Sequence, residues 1–147
     1  MPSDIDFHGI GEALADLLRT GLGTAAKAVM FEPDAVQLGV HNTPLVAIML
    51  GEGLSQPRPG QSYYETFELT VEVAAIDLSN WATAAKNRTE LFRACRQLVR
   101  ANPRFHADVN ESHLGQFEFE RAVDTAETTW YAAIARFVVT IGVYYDQ

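Results

Sequence analysis

Apolar residues recur at steps of three and four near the start of the chain. Phe7, Ile10, Leu14, Leu17, Leu18 and Leu22 form one stripe, with Glu12 and Asp16 on the other side. The spacing predicts an amphipathic helix over 5–22, closed by Gly21 and Gly23. A second helical pattern follows Asp77-Leu78-Ser79-Asn80, whose polar side chains suit an N-cap. Its apolar face is Trp81, Ala84, Ala85, Leu91, Phe92, Cys95, Leu98 and Val99, and Asn102-Pro103 stops it.

Strand patterns lie between and after these helices. Val29-Met30-Phe31 reads as a short strand before the turn Glu32-Pro33-Asp34. Another short strand is expected over 36–40 and a turn over 41–44. Leu45 to Leu50 is nearly all apolar, as in a buried strand. Residues 51–62 hold three Gly and two Pro, and this composition predicts a flexible loop. Over 63–76, Phe67, Leu69, Val71, Val73 and Ala75 alternate with Glu68, Thr70 and Glu72. Fourteen extended residues span roughly 46 Å, so a bend or a projecting hairpin is expected. Leu114 to Val123 alternates Phe117, Phe119, Arg121 and Val123 with Glu118 and Glu120. The segment before it, 105–115, reads as a polar loop, and 124–128 as a turn. Trp130 to Tyr145 is a long final strand with Arg136 and Thr140 on its polar side.

These elements imply an α+β fold: a mainly antiparallel sheet with two helices packed on one face and long strands that bend or project. The polar face, with Glu68, Glu72, Thr70, Arg136 and Thr140, is expected to meet solvent or a partner. At 147 residues the chain is read as a single domain, 1–147.

Charge changes this picture most. Residues 80–104 carry Lys86, Arg88, Arg93, Arg96, Arg100 and Arg104 against the single acid Glu90, a net of +5. The whole chain stands at −8, which leaves −13 on the remainder. The second helix is thus basic on a body of opposite sign. Lys86, Arg93, Arg96, Arg100 and Arg104 recur along one side of it, and three readings stand open: a solvated face, a docking strip for an acidic patch of a neighbouring subunit, or a phosphate contact. The acidic balance opposes simple wrapping of nucleic acid.

Candidate chemistry adds little. The one cysteine, Cys95, cannot form an internal disulfide, which favours a reduced setting, and its place on the apolar face predicts a buried thiol. His106, Asp108, Glu111 and His113 are metal-capable types, but their spacing matches no known motif, and a solvated loop is expected. His8 and His41 stand isolated. Ser55, Ser62, Ser79 and Ser112 lack a nucleophile-elbow context. The pairs Glu118/Glu120 and Glu68/Glu72 would need a cleft for acid–base work. The glycines of 51–62 lack the phosphate-loop pattern. No catalytic, cofactor-binding or metal-binding residue is assigned, and an enzyme is not expected. The acidic N-terminus has no signal-peptide core, and no apolar run approaches the roughly 20 residues of a membrane span.

A resemblance follows from several segments together: Leu50-Gly51-Glu52 before a Pro/Gly stretch, Phe67-Glu-Leu-Thr-Val-Glu-Val73 leading through Asp77 into the basic helix, and that helix ending Leu98-Val-Arg-Ala-Asn102-Pro103. Then come Gly115-Gln-Phe-Glu-Phe-Glu120 and the closing Ala135-Arg-Phe-Val-Val-Thr-Ile-Gly-Val-Tyr144. The chain resembles, over nearly its whole length, the tail-terminator and tail-completion proteins at the head–tail joint of long-tailed bacteriophages. The resemblance implies a structural virion protein that forms a homo-oligomeric ring, commonly a hexamer, in the virion tail, assembled in the host bacterial cytoplasm. Its implied partners are tail tube and head connector proteins, with DNA passing through the ring without sequence-specific binding. No cofactor is implied. Another head–tail adaptor or a tube subunit is the alternative. Subunit-interface candidates are Lys86, Arg93, Arg96, Arg100, Arg104, Glu68, Glu72 and Arg136. A less favoured alternative is a small ligand-binding or enzymatic domain.

Overall fold

The structure, a computed structural model, describes residues 5–33, 43–58, 62–124 and 130–146. Helix α1 covers Phe7–Leu22 and strand β1 Ala28–Phe31. Strands β2 and β3 cover Leu45–Arg58 and Ser62–Asp77. Helix α2 covers Trp81–Ala101, and strands β4 and β5 cover Glu111–Asp124 and Trp130–Asp146. The fold is α+β: both helices lie on one face of a five-stranded sheet of order β1-β2-β3-β5-β4.

The helix ends follow from local chemistry. Asp6 caps α1 by accepting from Gly9 N at 2.8 Å. Gly23 ends it at φ +55°, a conformation glycine adopts without steric cost. The Asp77 carboxylate accepts from Ser79 N and Asn80 N, and Asn80 in turn caps α2 by accepting from Ala82 N at 2.7 Å. The backbone hydrogen bond from Ser79 is the main cause holding the Asp77 carboxyl below its ordinary value.

Strands β2/β3, β3/β5 and β4/β5 pair antiparallel, while β1 pairs parallel to β2. The sheet is therefore mixed but mainly antiparallel, as expected, with β1 the one strand among those described that pairs parallel. Strand β5 inserts between β3 and β4, so β3, α2 and β4 form a crossover that places α2 over the sheet. Ile10, Leu14 and Leu18 of α1 and Cys95 and Val99 of α2 meet Ile48, Leu69, Val71, Phe137 and Ile141 in one core. Gly11 lets α1 approach β1, because a Cβ there would stand 2.1 Å from the Phe31 ring.

Several expectations need correction. Residues 51–58 are strand, not loop: β2 runs on through Arg58 and stays paired with β3. A register shift between Leu50 and Gly53 absorbs the glycines, and a Cβ on Gly53 would lie 3.0 Å from both Phe67 Cβ and Thr66 O. Residues 51–56 are exposed, so the end of the β2–β3 hairpin forms an arm whose outer strand is open, while β3 stays paired with β5 as far as Asp146. Strand β4 starts at Glu111, inside the segment read as a polar loop. The face opposite the helices is not polar throughout, since Leu45, Ala47, Ala74 and Ala132 are buried on it. The strand expected at 36–40, His41 and most of the 124–128 turn lie outside the described residues.

Candidate docking surfaces

Helix α2 has three sides. One enters the core. The outer side presents Lys86, Arg93 and Arg100, all exposed, and Arg104 is exposed just beyond the helix. Among the described residues, none of these four cations takes part in an ion pair. The third side, Trp81, Arg88, Phe92 and Arg96, turns toward the edge strand β4. Arg96 therefore leaves the outward row to which its spacing assigned it.

The α2–β4 side alternates cations and rings. The register shift between Leu114 and Phe117 leaves Phe117 and Phe119 on the helix-facing side of β4, opposite Phe137 and Ala135. The buried Phe92 ring has its centroid 5.9 Å from that of Phe117, 4.9 Å from Phe119 and 5.5 Å from Phe137. The Arg96 guanidinium lies 5.3 Å from the Phe92 centroid and 5.2 Å from that of Phe117. Arg88 lies 4.9 Å from Phe119 and 5.7 Å from Trp81, and Arg121 lies 4.4 Å over Trp81. These distances suit cation–π attraction. Burial lowers the Arg88 guanidinium from its ordinary value, and the Nε atoms of Arg88 and Arg96 are buried without a hydrogen-bond partner. Phe117 and Phe119 remain 55% and 47% exposed, although the rings of a core usually close over one another.

The opposite sheet face is organised by Arg136. Its Nε donates to Glu72 at 2.7 Å, and its Nη1 donates to Glu118 at 3.1 Å and Glu120 at 2.6 Å. Burial pulls the Arg136 guanidinium down, but hydrogen bonds to Glu120, Glu72 and Glu118 outweigh it and hold it above its usual range. Arg136 and Glu72, both interface candidates, are thus engaged within the chain rather than presented to a partner. The pair Glu118/Glu120 is salt-bridged on an open face instead of lining a cleft. Glu68 is exposed and in no ion pair among the described residues. It shares a shallow hollow on the arm with Glu52, Leu54, Thr66 and Thr140.

The histidine-rich segment is put to structural use. His106 Nδ1 accepts from Asp108 N at 3.0 Å, forming a turn. His113 lies 3.6 Å from Glu111, and Tyr64 OH donates to Glu111 across the sheet. That hydrogen bond is the leading cause holding the Glu111 carboxyl below its ordinary value. Among the described residues, no three His, Cys, Asp or Glu side chains stand together as a metal set. Elsewhere, His8 pairs with Glu12 at 3.5 Å and sets its ring against Phe31. Cys95 is fully buried, and burial pushes its thiol up to about 12. No helix among the described residues is long and apolar enough to cross a membrane.

No protein-family model and no curated protein matches the chain.

The arginine–aromatic side was legible in part. Trp81, Arg88, Phe92 and Arg96 are separated by seven, four and four residues, which is one helix face. The outward stripe to which spacing assigned Arg96 hid that face, and the side of β4 on which Phe117 falls depends on the register shift.

Proposed function

We propose that the chain is a structural virion protein: a ring-forming tail terminator that caps the phage tail tube, stops its polymerisation and joins tail to head. Its localisation would be the virion tail, its partners the tube and head connector proteins, and its ring a homo-oligomer such as a hexamer. The observation that carries this reading is the separation of charge on one small α+β subunit. Lys86, Arg93 and Arg100 form an outward row without carboxylate partners among the described residues, on a chain whose remainder is strongly acidic. Such a surface is suited to orienting like subunits, and an acidic lumen would not hold passing DNA. The exposed outer strand of the β2–β3 arm adds a surface that a neighbour can reach. The same arm also fits an adaptor or tube subunit, which remains the second reading.

Native mass spectrometry of the purified protein tests assembly. A single closed-ring mass is expected, and Arg93→Glu with Arg100→Glu should reduce it while leaving the fold intact, because exposed substitutions usually change stability by no more than about 0.5 kcal/mol. A strict monomer at tens of micromolar that also fails to bind tail tubes would sink the proposal.

A further inference from the structure

We infer that copies of this chain join head to tail through two different patches: the arginine–phenylalanine side between α2 and β4 of one copy, and the acidic hollow of the β2–β3 arm of the next. This deepens the ring reading and rests on it for the number of subunits, and it places a contact beyond the outward row, between two surfaces that reading does not assign.

The first patch is incomplete as it stands. Phe117 and Phe119 are large rings on the last strand of the sheet, and roughly half of each is exposed. Arg88, Arg96 and Arg121 lie against the adjoining rings, and none forms an ion pair among the described residues. Stacking holds these guanidinium planes in place, so their remaining N–H groups need little further ordering to receive carboxylates. Strand β4 is also an unpaired edge among the described strands, and its Glu118 and Glu120 are turned to the other face, toward Arg136.

The second patch has the complementary chemistry. Glu52 and Glu68 are exposed carboxylates in no ion pair among the described residues, and Leu54, beside them in the same hollow, is 59% exposed. An apolar side chain flanked by acids matches rings flanked by guanidinium groups. Nearby Arg136 is saturated by Glu72, Glu118 and Glu120, so it does not neutralise the arm acids. The occupant of the arginine–phenylalanine side is therefore a second copy's arm. The two patches lie on opposite faces of the sheet, which makes the contact heterologous. A heterologous contact propagates, and it closes as a ring when its rotation permits.

The test is complementation by charge reversal. One variant carries Arg88→Glu and Arg96→Glu, and the other carries Glu52→Lys and Glu68→Lys. Each variant alone should be monomeric by native mass spectrometry and sedimentation velocity. In an equimolar mixture the intact arm of the first meets the intact patch of the second, and the reversed arm meets the reversed patch with opposite charge, so assemblies containing both variants should form. Far-UV circular dichroism checks folding. Should the arginine variant misfold, Phe117→Ser is the replacement on that side, and the arm variant is judged independently. If both folded variants assemble like the wild type, the two-patch contact is wrong while ring formation stands. If Arg93→Glu/Arg100→Glu dissociates the protein and the arm variant does not, the contact lies on the outer row. If the wild type is itself monomeric at tens of micromolar, self-association fails and takes this contact with it.

Discussion

Replacing Arg136 by Met would remove one charge and leave three carboxylates facing one another. The magnitude follows from how unequal its partners are. Glu72 is 17% exposed and holds Arg136 Nε at 2.7 Å; a charge-assisted hydrogen bond of this kind contributes roughly 1.5–3 kcal/mol. Glu118 and Glu120 are 66% and 49% exposed, and such solvent-screened pairs contribute about 0.2–1 kcal/mol each. Met keeps much of the apolar stem, so the expected loss is about 2–4 kcal/mol, dominated by Glu72. For a chain of this size that loss lowers the melting temperature by roughly 4–16 °C. Urea unfolding followed by circular dichroism measures it, with an unchanged slope showing that the compactness of both states is retained. The double variant with Glu72→Gln should reveal a coupling above about 1 kcal/mol. A cost below about 0.5 kcal/mol with no coupling would refute the placement of Arg136 as the hub of this face.

Three other outcomes are expected. Phe92→Ala should destabilise by about 3–5 kcal/mol, because the ring joins α2 to Phe117, Phe119 and Phe137 and its loss opens a cavity; a urea midpoint close to wild type would contradict that packing. The folded-state carboxyl of Glu111 lies below its ordinary 4.5. Its stabilisation is therefore fully present above the unfolded value and is lost as pH falls through the lower folded value. Tyr64→Phe should accordingly cost stability at pH 7, and the difference from wild type should shrink below about pH 4.5; a difference that is flat or grows in acid would oppose the assignment. Cys95, fully buried with its thiol raised to about 12, should resist a disulfide reagent at pH 8 until the protein unfolds, and rapid native labelling would contradict its burial.

The two helices were legible because each has an uninterrupted apolar stripe and a good cap, Asp6 for one and Asn80 for the other. Strands β3 and β5 were legible because alternation over many residues has no other cheap explanation. The extension of β2 was hidden by local composition. Gly51, Gly53 and Pro57 look like loop residues, yet pairing with β3 overrides that preference, and a shift of register accommodates the glycines. The central place of β5 had a signal in Ala132-Ala133-Ile134-Ala135, which is buried on both faces. Such a run fits a strand with neighbours on each side better than an edge. The parallel pairing of β1 had no signal, since periodicity says nothing about strand direction. Among the surface residues, Lys86, Arg93, Arg100 and Arg104 stand exposed as their spacing suggests. Arg96 does not, because a step of three carries it round to the β4 side. Spacing also could not show that Arg136 and Glu72 are partners, since 64 residues separate them in sequence.

The central claim is that this protein caps a tube. Electron microscopy of purified tail tubes, grown with and without added protein, tests it most directly. The account predicts one ring at one end of each tube and a halt to elongation. Tubes that lengthen at an unchanged rate with bare ends, while the protein stays unassembled in solution, would contradict it.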